Sequence, residues 1–366
     1  MQSYKKFGSF TMAYSVKADP NFSQFNHEKG SIAYQDAQGV RIFVGDPFCR
    51  KTDAEAVVKA FIKASHECHL PLVGLQCSLE TARQFNVFGF NATHMGVETL
   101  ILPGWTLKGK NVGRRIRKAR KSKLSVSEAR WDSEATLTEE AIAVSTKWRC
   151  TRSTQTPLNI LLRDPTFRDE PNERTFFAWL DQQLVGYVTF EAMYDNHQKI
   201  GWYANINRRD DSRNVAVFDA IIDVALNCFK KEPGFQTLSL GLAPMACAHN
   251  THGFANRIVA KITALSFAHG NEIYNCKGIL QSKKNYWPKA PTQHPNQIEV
   301  RDTYCITHGR MPLNSVARAF MEVGILPDGL RRTVWFAVRI TIQGTWREFW
   351  KNHPVNPLAL WHDLTT

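Results

Sequence analysis

Along residues 31–45, SIAYQDAQGVRIFVG, two β-rich, mostly apolar runs flank the turn-forming stretch Asp36-Ala37-Gln38-Gly39. Such runs on either side of a turn predict a β-hairpin. Gly45-Asp46-Pro47 ends it. Over 53–69 the pattern changes: Ala54, Val57, Val58, Phe61 and Ile62 recur at helical spacing. A buried strand follows at 72–76. Phe88-Gly89-Phe90 breaks the next helix, and 96–102 reads as another strand. The same rhythm returns further on. Residues 175–180 and 184–193 predict a hairpin around Asp181-Gln182-Gln183, and 199–206 a strand. Residues 215–229 form the clearest amphipathic helix, and 237–242 a strand closed by Ala243-Pro244. Strands and helices that alternate in this way predict an α/β (α+β) fold with mixed sheets. No short-period repeat is visible.

A length of 366 residues suggests about two domains. The expected division is 1–125, 126–310 and an aromatic-rich extension over 311–366. The first twenty residues lack the apolar core of a signal peptide, and no run approaches the ~18 apolar residues of a membrane span. Eight cysteines are scattered without a CxxC pair, which fits reduced thiols in a cytoplasmic setting. His66-Glu67-Cys68-His69 and the pair His249/His252 carry metal-ligating groups. Neither has a second half at zinc-site spacing, so no metal centre is expected.

Charge changes the picture. The formal net charge is +13 and the pI about 9.4, a surplus that points to an anionic partner. It is concentrated in 110–123, KNVGRRIRKARKSK, which has eight Lys or Arg and no acid. Val112, Ile116 and Ala119 share one helical face. Lys110, Arg114, Arg115, Arg117, Lys118 and Lys121 supply the positive charge around it. Such a helix suits backbone phosphates of a nucleic acid. A solvated charged face is the plainer alternative. In the tail, Trp346, Phe349 and Trp350 share a face beside Arg347 and Lys351, a pattern open to two readings: a peripheral contact with an anionic membrane surface or a packing helix.

One family matches the order of these features. Ala33-Tyr34, Gly39, Gly45-Asp46-Pro47, Phe61, Gly89-Phe90, Gly96-Val97-Glu98 and Leu107-Lys108-Gly109-Lys110 precede the Arg-rich helix. Trp148, the strand around Phe190 and Asn205-Ile206-Asn207-Arg208-Arg209 follow. Leu240-Gly241-Leu242-Ala243-Pro244-Met245 and Lys283…Tyr286-Trp287-Pro288 come last. Over roughly 30–300 the chain resembles the C-terminal domain of phosphatidylglycerol lysyltransferases. The resemblance implies two tandem GNAT-like acyltransferase domains joined by the basic helix. It also implies transfer of an amino acid from aminoacyl-tRNA to a hydroxyl of a lipid, with charged tRNA as co-substrate and no cofactor; an amine, or a small-molecule acceptor, stays open as the alternative. Asn205 stands where the family pattern has an acid, Asn207 where it has an apolar residue, and Asn285 where it has a lysine.

The expected site residues follow. Arg208 would hold a phosphate or carboxylate, unless it serves a surface ion pair. Lys283 would neutralise the tRNA terminus or an acceptor phosphate. Tyr286 would pass a proton or pack a base. His249 would act as general base, with His252 as the alternative, and either is open to a purely structural role. Asn205, Gly241, Ala243 and Pro244 are expected to line the substrate pocket. Two other functions remain open: an acyl-CoA-dependent N-acyltransferase and a non-enzymatic tRNA- or membrane-binding module. The 208–214 loop, without glycine and with two acids, counts against acyl-CoA.

Overall fold

The computed structural model describes residues 1–107, 111–133, 136–151, 160–213, 215–246, 254–269, 275–288, 296–309 and 313–322. His249, His252, Lys110 and the tryptophan-rich part of the tail lie outside them.

The strands are β1 (Ser23–His27), β2 (Gly30–Ala37), β3 (Val40–Val44), β4 (Phe48–Cys49), β5 (Leu72–Cys77) and β6 (Phe90–Ile101), then β7 (Ser125–Glu128), β8 (Glu173–Leu180), β9 (Gln183–Asp195), β10 (Gln198–Arg209), β11 (Thr237–Pro244) and β12 (Ile298–His308). The helices are α1 (Gln2–Phe7), α2 (Ser15–Ala18), α3 (Ala54–Glu67), α4 (Leu79–Val87) and α5 (Asn111–Lys121), then α6 (Leu137–Cys150), α7 (Val217–Phe229), α8 (Arg257–His269), α9 (Cys276–Lys284) and α10 (Leu313–Glu322). All strands join one mixed sheet in the order β1-β2-β3-β5-β12-β6-β11-β10-β9-β8-β7, with β4 on β2.

Both expected hairpins form. Gln38 and Gly39 take positive φ between β2 and β3, and Asp181 and Gln182 do so between β8 and β9. Two positive φ values in a two-residue loop match the right-handed twist of the flanking strands. Helices α3, α5 and α7 also fall where their periodicity puts them. Several stretches carry elements that the pattern did not mark, among them 1–27, 137–150 and 298–308. The last matters most, because β12 inserts between β5 and β6 and pairs antiparallel with both. The chain thus returns to the first half of the sheet after finishing β7–β11.

Helix α7 covers one face of the later strands. Phe229 stacks on Trp202 at 4.9 Å between centroids and meets Phe176 and Phe190 edge-on. Helix α5 lies on α7, with Val112 and Ile116 buried in the same cluster. On the opposite face, α6 packs over Phe177, Tyr187 and Ile206. Beside it runs the N-terminal segment, whose Tyr4, Met12, Ala13, Tyr14 and Val16 are buried. Among the described residues no helix is long and apolar enough to cross a membrane.

Phe229 fills the space between α7 and three strands. Phe229→Ala is expected to cost about 3–5 kcal/mol of stability through the cavity it leaves, read from the midpoint of urea unfolding.

Candidate active site

Strands β10 and β11 run parallel, but their ladder holds only three pairs and ends at Tyr203–Ser239. Both strands then bulge. β10 shifts register against β9 between Ala204 and Ile206. β11 shifts against β6 between Ser239 and Leu242. Gly241 sits in the second bulge at φ +74°, where an added Cβ would lie 2.8 Å from the Tyr203 ring. Only glycine accepts both conditions cheaply. Two bulges at the end of one ladder part the strands and free backbone groups there.

Buried carboxylates flank the parting. Glu191 on β9 is 1% exposed. Both its oxygens accept from Ser15 Oγ at 2.8 Å, and Oε1 also accepts from Asn205 Nδ2 at 2.7 Å. On the other side, Glu98 of β6 accepts from Thr11 Oγ1 at 3.0 Å and from Gln76 Nε2. Thr11 Oγ1 also lies 3.0 Å from Ser239 Oγ, which accepts the Gly241 N–H at 3.1 Å. The N-terminal segment therefore reaches across the parting and supplies one hydroxyl to each carboxylate. Burial pushes the pKa of both carboxyls up, and these hydrogen bonds pull it back.

A second carboxylate, Glu173, sits directly opposite Glu191 on β8. Burial, then the charge of Glu191, raises its pKa to about 8. Arg163 holds it at 2.7 Å and grips both oxygens of Glu170 at 2.8 and 2.9 Å. Tyr14 also donates to Glu170, at 2.6 Å.

Lys283, in the last turn of α9, is buried. Desolvation lowers its pKa to about 7, and the nearby Glu98 charge opposes that shift. A lysine in this state offers a neutral amine near neutral pH.

Of the other expected residues, Asn205 lies in the cluster and Gly241 at the parting. Ala243 and Pro244 pack against Val97 and Gly96 of β6. Arg208 lies three residues beyond Asn205, is 3% exposed and stacks on Trp148 at 4.0 Å from the ring centroid. Tyr286 is fully buried: its hydroxyl donates to Asp219 at 2.8 Å and its carbonyl accepts from Trp105 Nε1 at 3.0 Å. Those contacts fit a packing role beneath α5 and α7. On α5, Arg115 pairs with Asp219 at 2.7 Å and Arg120 with Asp223 at 2.5 Å, which docks the helix on α7. Arg114, Arg117, Lys118 and Lys121 are exposed and make no ion pair with the described residues. Glu191, Glu98, Glu173, Ser15 and Thr11 were not singled out as site residues from the sequence. The signal was an acid in the middle of an apolar strand, as in LVGYVTFEAM.

Residues 2–293 match the family model described as phosphatidylglycerol lysyltransferase, C-terminal. The chain belongs to this family. It is accordingly an enzyme of the acyltransferase class. L-PGS from Bacillus licheniformis is similar in structure, with a TM-score of 0.69 at 14% identity, over 88% of this chain and 94% of that one. The C-terminal domain of a putative lysylphosphatidylglycerol synthetase from Agrobacterium fabrum gives 0.65 at 15%, over 87% and 94%. A conserved protein of unknown function from Bacteroides thetaiotaomicron gives 0.56 at 11%, over 84% and 92%. At these identities the likeness establishes the fold alone, one large mixed sheet with helices packed on it. No curated protein matches the chain. Within this phosphatidylglycerol lysyltransferase family fold, the parting of β10 and β11 is where bulges, buried carboxylates and the displaced lysine converge.

The two shifted groups act on stability in different pH ranges. Glu173 holds its proton in the folded chain up to about 8, against 4.5 for the ordinary group. Its contribution is full below the unfolded value and is lost as pH rises toward the folded one. Lys283 acts only above about 7, where the unfolded chain holds the extra proton. Between 4.5 and 7 the carboxyl effect therefore stands without opposition from Lys283. Glu173→Gln is expected to flatten the fall in stability across that window. Chemical unfolding of both proteins at several pH values checks this, and parallel slopes would contradict it.

Proposed function

We propose that this enzyme moves the aminoacyl group of aminoacyl-tRNA to a hydroxyl of a lipid such as phosphatidylglycerol. The observation that carries the chemistry is Lys283, a buried amine beside the parted strands with its pKa drawn down to about 7. In this reading the neutral amine takes the proton of the acceptor hydroxyl. The acceptor oxygen bonds to the aminoacyl carbonyl carbon, and the ester bond to the tRNA ribose breaks. The proton then passes to the leaving ribose oxygen. Ester exchange has little intrinsic driving force, so positioning and proton handling are the main demands on the protein.

The donor is a polyanion, and the exposed Arg114, Arg117, Lys118 and Lys121 support its docking on α5. Arg115 is held back by its ion pair with Asp219. Contact with an anionic lipid surface through 311–366 belongs to the same proposal, supported by the tryptophans beside Arg347 and Lys351. Two GNAT-like units are supported by the sheet itself, which holds one parallel pair in each half, β3–β5 and β10–β11. An acyl-CoA donor is disfavoured by the loop after β10. There the Ser212 N–H, a group that would meet a pyrophosphate, donates instead to Asp210 at 3.0 Å.

The test is transfer from labelled aminoacyl-tRNA to phosphatidylglycerol vesicles. Label should enter the lipid phase and be abolished by RNase. Consumption of no charged tRNA would overturn the proposal. kcat/KM should rise through about pH 7 and then level, and Lys283→Ala should lose about 10²–10⁴-fold in kcat. Reversing Arg114, Arg117, Lys118 and Lys121 to Glu should abolish tRNA binding in a gel-shift assay while the unfolding midpoint stays in place. Unchanged affinity would remove α5 from the donor site.

A further inference from the structure

The cluster around Glu191 contains an unfilled valence. Asn205 is 4% exposed, and its Oδ1 has no hydrogen-bond partner among the described residues. Its orientation is fixed by its surroundings. Nδ2 donates to Glu191 Oε1 at 2.7 Å and to Ser15 Oγ at 2.8 Å, and exchanging the amide atoms would set Oδ1 against a carboxylate oxygen. A buried acceptor without a donor loses its hydration with nothing in exchange, so its persistence calls for a partner.

The charge balance indicates what kind of partner. Arg163 bonds to Glu170 and Glu173, and Arg168 reaches Glu170 at 3.6 Å, so neither guanidinium is bonded to Glu191. The donors hydrogen-bonded to Glu191 are neutral: Ser15 and Asn205. Glu173, directly across from Glu191, holds its proton up to about 8, so Glu191 is the carboxylate left with neutral donors alone among the described residues. A water molecule would satisfy Asn205 Oδ1 but bring no cation to Glu191. A protonated primary amine would do both, since it brings three N–H donors and one positive charge. The position suits a substrate group, because Asn205 lies two residues past the last β10–β11 rung, inside the β10 bulge.

We infer that Asn205 Oδ1 and the Glu191 carboxylate form a subsite for a primary ammonium group, the free α-amine of the aminoacyl group being transferred. This rests on the aminoacyl-transfer reading of the same site. Ser15 Oγ, bonded to both oxygens of Glu191, occupies the places that ammonium hydrogens take on binding. Glu191 and Asn205 are then binding residues that select the donor by its free amine, at the opposite side of the parting from Lys283.

Two measurements separate this inference from the reading beneath it. In the first, alanine methyl ester and N-acetylalanine methyl ester are titrated into the full-length protein by calorimetry near pH 7, where the free amine is still largely protonated, its pKa lying about 7.7–8.0. Only the free-amine ester should bind, and Glu191→Gln, checked for an unchanged unfolding midpoint, should lose that binding. If neither ester binds, or both bind equally, the inference is overturned whether or not the enzyme transfers amino acids. In the second, charged tRNA is compared with the same tRNA after N-acetylation of its aminoacyl amine. The free-amine donor should be used about 100-fold better in kcat/KM, the size expected when a charged hydrogen-bonding group is lost. Equal use of both donors would remove the ammonium subsite and leave the transfer reaction standing.

Discussion

A carboxylate inside a sheet must find donors, because burying it unpaired costs far more than one hydrophobic contact returns. Glu98 and Glu191 set this demand on either side of the β10–β11 parting, and the rest of the site is arranged to meet it. The N-terminal segment crosses the sheet with Thr11 and Ser15 four residues apart, so that each hydroxyl meets one carboxylate. Tyr4, Tyr14 and Val16 anchor that segment in the core. Asn205 completes the pairing of Glu191, and Gln76 that of Glu98. The low dielectric that makes these groups costly also shifts Glu173 and Lys283 into the neutral pH range. Strand parting, hydroxyl bridging and pKa displacement are one arrangement seen at three scales.

The sequence carried the local order of the fold well. β-rich runs around turn residues marked both hairpins, and a period of 3.6 marked helices α3, α5 and α7, which pack an apolar face on the sheet or on each other. It carried the non-local order poorly. Strand β12 reads IEVRDTYCITH, with charges in its first half, where residues 300–302 are exposed. Nothing local says that it belongs between β5 and β6. Helix α6 was missed for a related reason. Exposed Ile142 and an apolar stripe limited to Leu137, Ala141 and Val144 give it little contrast between faces.

At the site, residue type was legible and partnership was not. Lys283 and Asn205 stood out from the sequence, but the origin of their significance lies in burial near the Glu98 charge and in a hydrogen bond to Glu191, both distant in the chain. Tyr286 looked reactive as a residue type and is enclosed with Asp219 in the core. The run of cations on α5 divides the same way. Arg115 and Arg120 meet Asp219 and Asp223, one turn apart on α7, and so serve as fasteners, while the others remain on the surface. A helix can thus be strongly basic and yet present a smaller charged face than its composition suggests.

The placement of β12 has a consequence for how the chain is made. During synthesis β5 and β6 leave the ribosome long before residues 298–308, and until that strand arrives their facing edges have no neighbour. Exposed edges of this kind invite pairing with other chains, and closure over so long a span is entropically slow. The first half of the sheet is therefore committed late. Its assembly depends on one of the last strands to be synthesised, and nascent chains that stall in the second half are left with an open, adhesive seam.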